Sequence, residues 1–175
     1  MLMVEHAGKR LLEAHGVPVP AGALIRKSEH ALKWNGAYPV ALKVQVASGG
    51  RGKAGGVMRA DDATQAQACA RQLFDRTFGG ERPAALLMEP WVAHSRELFL
   101  AVAVDGHAGG YVILYAPNGG VDVEQHAPHK YAFGSPRHFR AHALRSILAA
   151  SEPDGALRER VVALARRLLF VAVAT

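Results

Sequence analysis

The chain is poor in the residues that mark several common functions. A single cysteine, Cys69, excludes an internal disulfide and any cysteine-built metal cluster. No apolar run approaches the roughly 20 residues of a membrane span. The N-terminus is polar by Glu5 and lacks the apolar core of a secretion signal. These absences lead to the expectation of a cytoplasmic protein with no membrane partner. Aromatic residues make up 7% of the 175 positions, too few among the cations to stack on nucleic-acid bases. The net charge of +6 is therefore not read as a nucleic-acid surface. The cations divide among a glycine loop, helix faces and a C-terminal group of Arg158, Arg160, Arg166 and Arg167. Half of the residues are apolar and 21% are charged, as in an ordinary globular protein. The length allows one compact domain or two small lobes.

The patterning mixes helices with hairpin strands, which indicates an α/β or α+β fold. Ala7, Leu11, Leu12 and Ala14 recur at helical spacing over residues 2–15, and Gly16 supplies the stop. A short strand follows near 23–26, then a brief helix at 29–34 capped by Ser28. Residues 39–46 read as a buried strand and 56–59 as its partner. Asp62 with Gln65 has capping-box spacing for a long helix that runs to about Phe78. Strand-like runs occupy 85–89, 97–104 and 111–115, with Asp105-Gly106 as a hairpin signal. Residues 117–136, which hold three prolines and three glycines, read as irregular. Helical patterns return at 138–150 and 156–173.

What is present in abundance is glycine, and it is concentrated where it matters. In ALKVQVASGGRGKAGGV, Lys43 sits on an apolar strand. Gly49, Gly50, Gly52, Gly55 and Gly56 follow, with Arg51 and Lys53 between them. Glycine lets backbone N–H groups approach a polyphosphate with no Cβ in the way, and cations add the charge that phosphates need. Two familiar patterns fail here. Gly50-x-Gly52-x-x-Gly55 matches a dinucleotide fingerprint as a string, but that fingerprint needs a helix to open at the loop. Here the loop runs into Gly56-Val57-Met58-Arg59, which reads as a strand. A P-loop needs a hydroxyl after Gly-Lys, and Gly52-Lys53 is followed by Ala54. What remains is strand, glycine loop, strand: a hairpin able to fold over phosphates, or a plain glycine-rich turn.

Ala41–Val57 resembles the phosphate-binding segment of the ATP-grasp domain in the β subunit of succinyl-CoA synthetase and related ADP-forming acid–CoA ligases, malate–CoA ligase included. EHAGKRLLEAHGVPVPAG resembles that family's opening helix and turn, LLMEPWVAHSRELFLAVAVD its adenine hinge, and NGGVDVE its glycine–acid turn. The resemblance implies an ATP-grasp fold of two small lobes, about 23–92 and 1–22 plus 93–175. It places Lys43 on the α- and β-phosphates of ATP and Gly50, Arg51, Gly52 and Lys53 in the phosphate loop. Glu89 and Val92 match the hinge whose backbone meets adenine, and Glu97 matches the acid on the ribose hydroxyls. From the residues alone, Lys43 is either a phosphate ligand or a snorkelling lysine, and Glu97 either a ribose ligand or a strand-end charge. Trp91 is expected in the core, with packing beside the base as the alternative. No histidine is assigned to catalysis. His126-x-x-His129 lacks the companion acid that zinc would favour, and Cys69 reads as packing.

The resemblance also implies Mg2+, held in the family by an acid and an asparagine on an EINPL-like strand, and a CoA-ligase domain. Neither appears before Thr175, so the chain reads as a C-terminally incomplete ATP-grasp domain. The implied partner is an α subunit carrying a phosphohistidine, in a hetero-oligomer. The functional expectation is the ATP-binding part of an acid–CoA ligase. The alternative is a truncated, non-catalytic relative that binds nucleotide or docks on another subunit. ATP-grasp carboxylate–amine ligases fit the loop less closely.

Overall fold

A computed structural model describes residues 3–47, 50–120 and 127–174. Two compact units emerge. The first comprises Met1–Leu11 and Pro18–Ala93, and the second Leu12–Val17 and His94–Thr175. The sequence groups residues 1–22 with the later lobe. The structure groups Met1–Leu11 with the first unit instead, because Glu5 and Lys9 bond to Lys43 and Glu89 of its sheet and His6 to Gln45, just past the end of the strand Val40–Val44.

The first unit is an antiparallel four-stranded sheet in the order β1-β4-β2-β3. Its strands are β1 (Ala23–Ile25), β2 (Val40–Val44), β3 (Val57–Ala60) and β4 (Leu86–Pro90). Alternation on β2 explains its two faces. Val40, Leu42 and Val44 join Leu86 and Met88 in a core shared with Ala66, Ala70 and Leu73 of helix α2 (Ala63–Asp75). Ala41 and Lys43 point the other way, towards helix α1 (Glu5–Ala14). Asp62 caps α2 by accepting from the Gln65 N–H at 2.8 Å. The return bond of the capping box goes one residue earlier, from the Asp61 N–H to Gln65 Oε1 at 3.1 Å. A 3-10 turn, Ser28–Lys33, replaces the expected brief α-helix. Cys69 packs at the edge of this core, and burial pushes its thiol pKa up.

The second unit has a three-stranded antiparallel sheet, β5-β6-β7, made of β5 (Phe99–Asp105), β6 (Gly110–Ala116) and β7 (His129–Gly134). Helices α3 (Ala141–Leu148) and α4 (Gly155–Ala174) pack on it. Their Leu144, Leu148, Val161, Val162, Ala165 and Leu169 close a core with Ile113, Tyr115, Tyr131 and Phe133. Asp154 starts α4 by accepting from the Ala156 and Leu157 N–H groups at 2.9 and 3.2 Å. At the other end of the β5–β6 hairpin, Asp105 Oδ1 accepts from His107 and Ala108 at 2.8 and 3.1 Å.

Strand β7 corrects the irregular reading of residues 117–136. It pairs Tyr131 with Ile113 and Ala132 with Val112. Its alternating buried residues, Tyr131 and Phe133, were the signal; the surrounding prolines and glycines masked it. Among the described residues, no helix is long and apolar enough to cross a membrane.

Candidate functional site

Lys43 lies on a central strand, opposite Leu87 of β4 and diagonal to Glu89. Such diagonal neighbours on one sheet face are within reach of long side chains. Lys43 Nζ is 2.5 Å from Glu89 Oε1 and 3.2 Å from Glu5 Oε1. Lys9, one helical turn after Glu5, sits 3.2 Å from Glu5 and also ion-pairs with Glu89. Arg51, from the glycine loop, reaches Glu5 Oε2 at 3.4 Å. Its other guanidinium nitrogen donates to the Val44 carbonyl at 3.0 Å. The cluster thus holds three cations, Lys9, Lys43 and Arg51, around two carboxylates. One positive charge is in excess.

Glu89 is the deepest member at 3% exposure, whereas the three cations remain 20–27% exposed. Burial on its own would raise the Glu5 pKa; the charges of Lys43 and Lys9 outweigh it and hold it below the usual carboxylate range. Burial would likewise lower the Lys43 pKa, but bonds and charge from Glu89 and Glu5 hold it above its ordinary value. Lys43 is therefore a firm cation at neutral pH. An ammonium has three donors, and two of them face Glu5 and Glu89. Gln45 completes this face: its side-chain oxygen accepts from the His6 N–H at 2.8 Å, and its amide nitrogen donates to the Lys43 carbonyl at 3.1 Å.

The glycine loop between β2 and β3 is tightly wound. Gly56 donates to Arg51 O at 2.7 Å, Ala54 to Gly50 O at 3.0 Å and Gly55 to Gly52 O at 3.1 Å. Glycine is required at position 56, where a Cβ would come 2.7 Å from Val44 Cγ2 and 2.9 Å from Arg51 O. Arg76, at the end of α2, donates to the Ala54 and Gly55 carbonyls at 2.8 and 3.4 Å and lies 5.1 Å over the Phe78 ring. The loop's carbonyls are thus tied back by Arg76, while Gly50, Gly52 and Lys53 face solvent. Gly49 lies outside the described residues.

The hinge departs from expectation at one residue. Trp91 is not in the core: it is 38% exposed, with the Arg59 guanidinium 5.7 Å over its ring. Its N–H donates to the Pro39 carbonyl at 2.8 Å, which fixes the turn after β4. Val92 is exposed. Glu89 therefore carries more than the backbone role given to it, because its carboxylate anchors Lys43 and Lys9.

Glu97 belongs to the second unit. It precedes β5, 3.2 Å from His94 Nε2, and its carbonyl accepts from the Gly119 N–H at 2.8 Å. Of the NGGVDVE turn, residues 121–124 lie outside the described residues, as does His126. His129 opens β7.

Lys43, Arg51 and Glu89 are thus brought together, with Glu5, Lys9, Gln45 and Arg76 added by the structure. The sequence carried one sign of the additions: Glu5 and Lys9 stand at i,i+4 spacing on a helix. The fold and this cluster define a class, a mixed α/β chain of two antiparallel-sheet units with a lysine-and-glycine-loop cradle suited to anions. Comparison with known proteins narrows it. The ATP-grasp domain family matches residues 2–154, and the chain belongs to that family.

The chain is similar to the succinate–CoA ligase [ADP-forming] subunit beta of Syntrophotalea carbinolica, with 35% identity over 73% of this chain and 35% of that protein. The subunit of the same name from Methanocaldococcus jannaschii is 32% identical over 71% of this chain and 34% of that protein. The chain therefore spans about a third of the length of these curated relatives. Among solved structures, acetyl-coenzyme A synthetase 1 of Ca. Korarchaeum cryptofilum shares the fold, with a TM-score of 0.74 at 17% identity over 98% of this chain and 80% of that one.

The donor set at Lys43 suits a polyphosphate: cations of both kinds beside a glycine loop. Among the described residues, no group of three or more histidine, cysteine, aspartate or glutamate side chains is placed to hold a metal.

Proposed function

We propose that the chain is the nucleotide-binding part of an ADP-forming acid–CoA ligase β subunit, of the succinate- or malate–CoA ligase type. The observation that carries this reading is the Lys43–Arg51 pair, held together by Glu5 at the mouth of the glycine loop. Lys43 would donate to the α- and β-phosphates of ATP. Gly50, Arg51, Gly52 and Lys53 would close over the phosphates and exclude water. Backbone groups at Glu89 and Val92 would meet the adenine edge, and Glu97 the ribose hydroxyls. A magnesium ion would neutralise charge on the phosphates; no residue of this chain is assigned to it.

The curated relatives' name supports the reaction class, ATP cleavage linked to acyl-CoA formation, and a partner α subunit. The Korarchaeum synthetase was captured with coenzyme A, acetyl-coenzyme A and a phosphorylated phosphohistidine segment. By analogy, this chain would present ATP to a histidine of the partner, which takes the γ-phosphoryl group to become phosphohistidine as ADP is left. Titration of a non-hydrolysable ATP analogue against the chain and against Lys43→Ala tests the site. Loss of affinity in the variant is expected, and equal affinity sinks the role of Lys43.

A second reading keeps the same cluster but not the chemistry. In it the chain binds nucleotide or docks on another subunit without turnover. A coupled assay with an α subunit separates the two, since the ligase reading requires ADP release.

A further inference from the structure

Besides tyrosine, three polar or charged side chains are buried among the described residues: Gln45, Glu89 and Glu152. The first two belong to the Lys43 cluster, and Glu152 does not. It is 1% exposed and lies in the second unit, between α3 and α4. A carboxylate in such a place is costly unless it is paired and hydrogen-bonded, and Glu152 is both. Arg96 donates to Oε1 at 3.3 Å and approaches Oε2 at 2.8 Å, and the Tyr115 hydroxyl donates to Oε2 at 2.8 Å. Arg158 fastens the Glu152 carbonyl at 3.0 Å. Burial raises the Glu152 pKa, but the bonds from Arg96 and Tyr115 outweigh it, so the group stays an ionised acceptor. Burial, with Glu152 facing it, pushes Tyr115 up to about 12, so its hydroxyl stays a donor.

This network ends next to Glu97. The ladder of β5 begins only at Phe99, so Glu97 is not held by sheet pairing of its own. It is held from both sides instead. On one side Arg96, its neighbour in the chain, reaches Glu152 and donates through Nε to the Pro117 carbonyl at 3.0 Å. On the other, the Glu97 carbonyl accepts from Gly119. That contact is so close that a Cβ on Gly119 would lie 2.7 Å from the Leu98 carbonyl carbon, and one on Gly120 would lie 2.7 Å from Glu97 Oε2. Glu152 is enclosed but Arg96 is 38% exposed, and an ion pair with one partner in solvent adds little stability. What this one does is tie the segment before β5 to the α3–α4 connection and to the end of β6.

We propose that Arg96, Glu152 and Tyr115 form a positioning network that sets the Glu97 carboxylate for ribose hydroxyls, and thereby sets preference for a ribonucleotide over its 2′-deoxy analogue. The proposal rests on the reading of Glu97 as the ribose ligand. In this proposal the three network residues act through the placement of Glu97.

Calorimetric titration of ATP and 2′-deoxy-ATP into the chain and into Glu97→Ala, Arg96→Met and Glu152→Gln tests it, with the ratio of the two affinities as the readout. The native chain is expected to favour ATP by about tenfold, the effect of one hydrogen bond to a charged group. Glu97→Ala should remove that preference, and Arg96→Met and Glu152→Gln should bring the ratio most of the way to the same value. A ratio that survives Arg96→Met and Glu152→Gln while both affinities weaken overturns the network and leaves Glu97 in place. A native chain without preference, or one unchanged by Glu97→Ala, overturns the ribose reading itself. Amide exchange of Gly119, whose N–H reports the Glu97 carbonyl, gives a nucleotide-free measure. It should quicken in Glu152→Gln relative to the Ile113 amide, and equal protection overturns the positioning role. Tyr115→Phe, which deletes one hydroxyl, replaces Glu152→Gln in both measurements should that variant not fold.

Discussion

Glu89 and Lys43 meet across adjacent strands, with Oε1 2.5 Å from Nζ, and the carboxylate of this pair is almost wholly enclosed. The pair makes the candidate phosphate lysine part of the sheet's own electrostatics. A lysine free at a strand end is flexible. Lys43 is held by one acid from β4 and one from α1, and its ammonium is aimed before any ligand arrives.

Replacing Lys43 with methionine should therefore cost stability as well as affinity. Glu89 would keep only Lys9 as a cationic partner in this cluster. Stripping a buried carboxylate of one partner should cost about 1–3 kcal/mol, below the cost of losing its only partner. Lys43→Met combined with Glu89→Gln removes the stranded charge and should regain most of the loss. Denaturant unfolding of the two single variants and the double variant checks this. Additive effects within about 0.5 kcal/mol would show that the pair is not coupled.

The carboxylates give an acid limb to stability. Glu5 and Glu152 both have pKa values below the ordinary 4.5. For each, the unfolded chain takes up a proton more readily than the folded one. Their contribution is complete above 4.5 and is lost as the pH falls from there through the lowered folded values. Lys43 acts in the opposite sense: its raised pKa contributes stability in full below 10.5, lost as the pH rises past its folded value. Melting temperature should accordingly be flat between these limits and fall at both ends. Glu152→Gln should start lower and flatten the acid limb; an acid slope equal to that of the native chain would refute the assignment.

Gly56→Ala should disturb the loop without touching any charge. The added methyl would meet Val44 Cγ2, the Arg51 carbonyl and, at 3.3 Å, the Phe78 ring. A backbone oxygen at 2.9 Å cannot step aside as a side-chain end can, so the loop must shift, at about 1–3 kcal/mol. Thermal melting should register a drop of several degrees, roughly 2–4 °C per kcal/mol at this chain length. An unchanged melting temperature would mean that the loop is not packed as described.

The parts of the fold legible in the sequence were those with a local physical cause. Val40, Leu42 and Val44 alternate with Ala41 and Lys43 because a strand has period two, and Asp62 with Gln65 announces α2 because a helix start has donors to satisfy. The glycine loop was legible because Lys43 and Arg51 stand within it or beside it. Strand β7 was not, since its two inward aromatics lie among prolines and glycines that elsewhere mean loop. Nor was the pairing of Glu5 and Lys9 with Lys43 and Glu89. Those contacts join positions 38 and 80 residues apart, and nothing local in a helix names the strand it will meet. Trp91 was misread for a related reason: a tryptophan after an apolar strand suggests burial, but here it lies past the last sheet pair and takes Arg59 over its face.

Glu5 presents the sharpest choice of sign. Its carboxylate bridges Lys43 and Arg51 and so holds the loop to the strand, yet it also adds negative charge where a polyphosphate would approach. Glu5→Gln and Glu5→Ala remove the same charge, but only glutamine keeps an acceptor for the bridge. Both raise the excess of positive charge in the cluster, and both should strengthen the salt dependence of binding, since exposed charges are screened within about 8 Å at physiological ionic strength. Glu5→Gln should bind inorganic tripolyphosphate more tightly than the native chain at low salt, because charge is gained and the tie is kept in part. Glu5→Ala should bind it more weakly than Glu5→Gln at every salt concentration, because Arg51 is no longer drawn to Lys43. Equal affinities for the two variants would show that the bridge does nothing for the loop and that Glu5 acts through its charge alone.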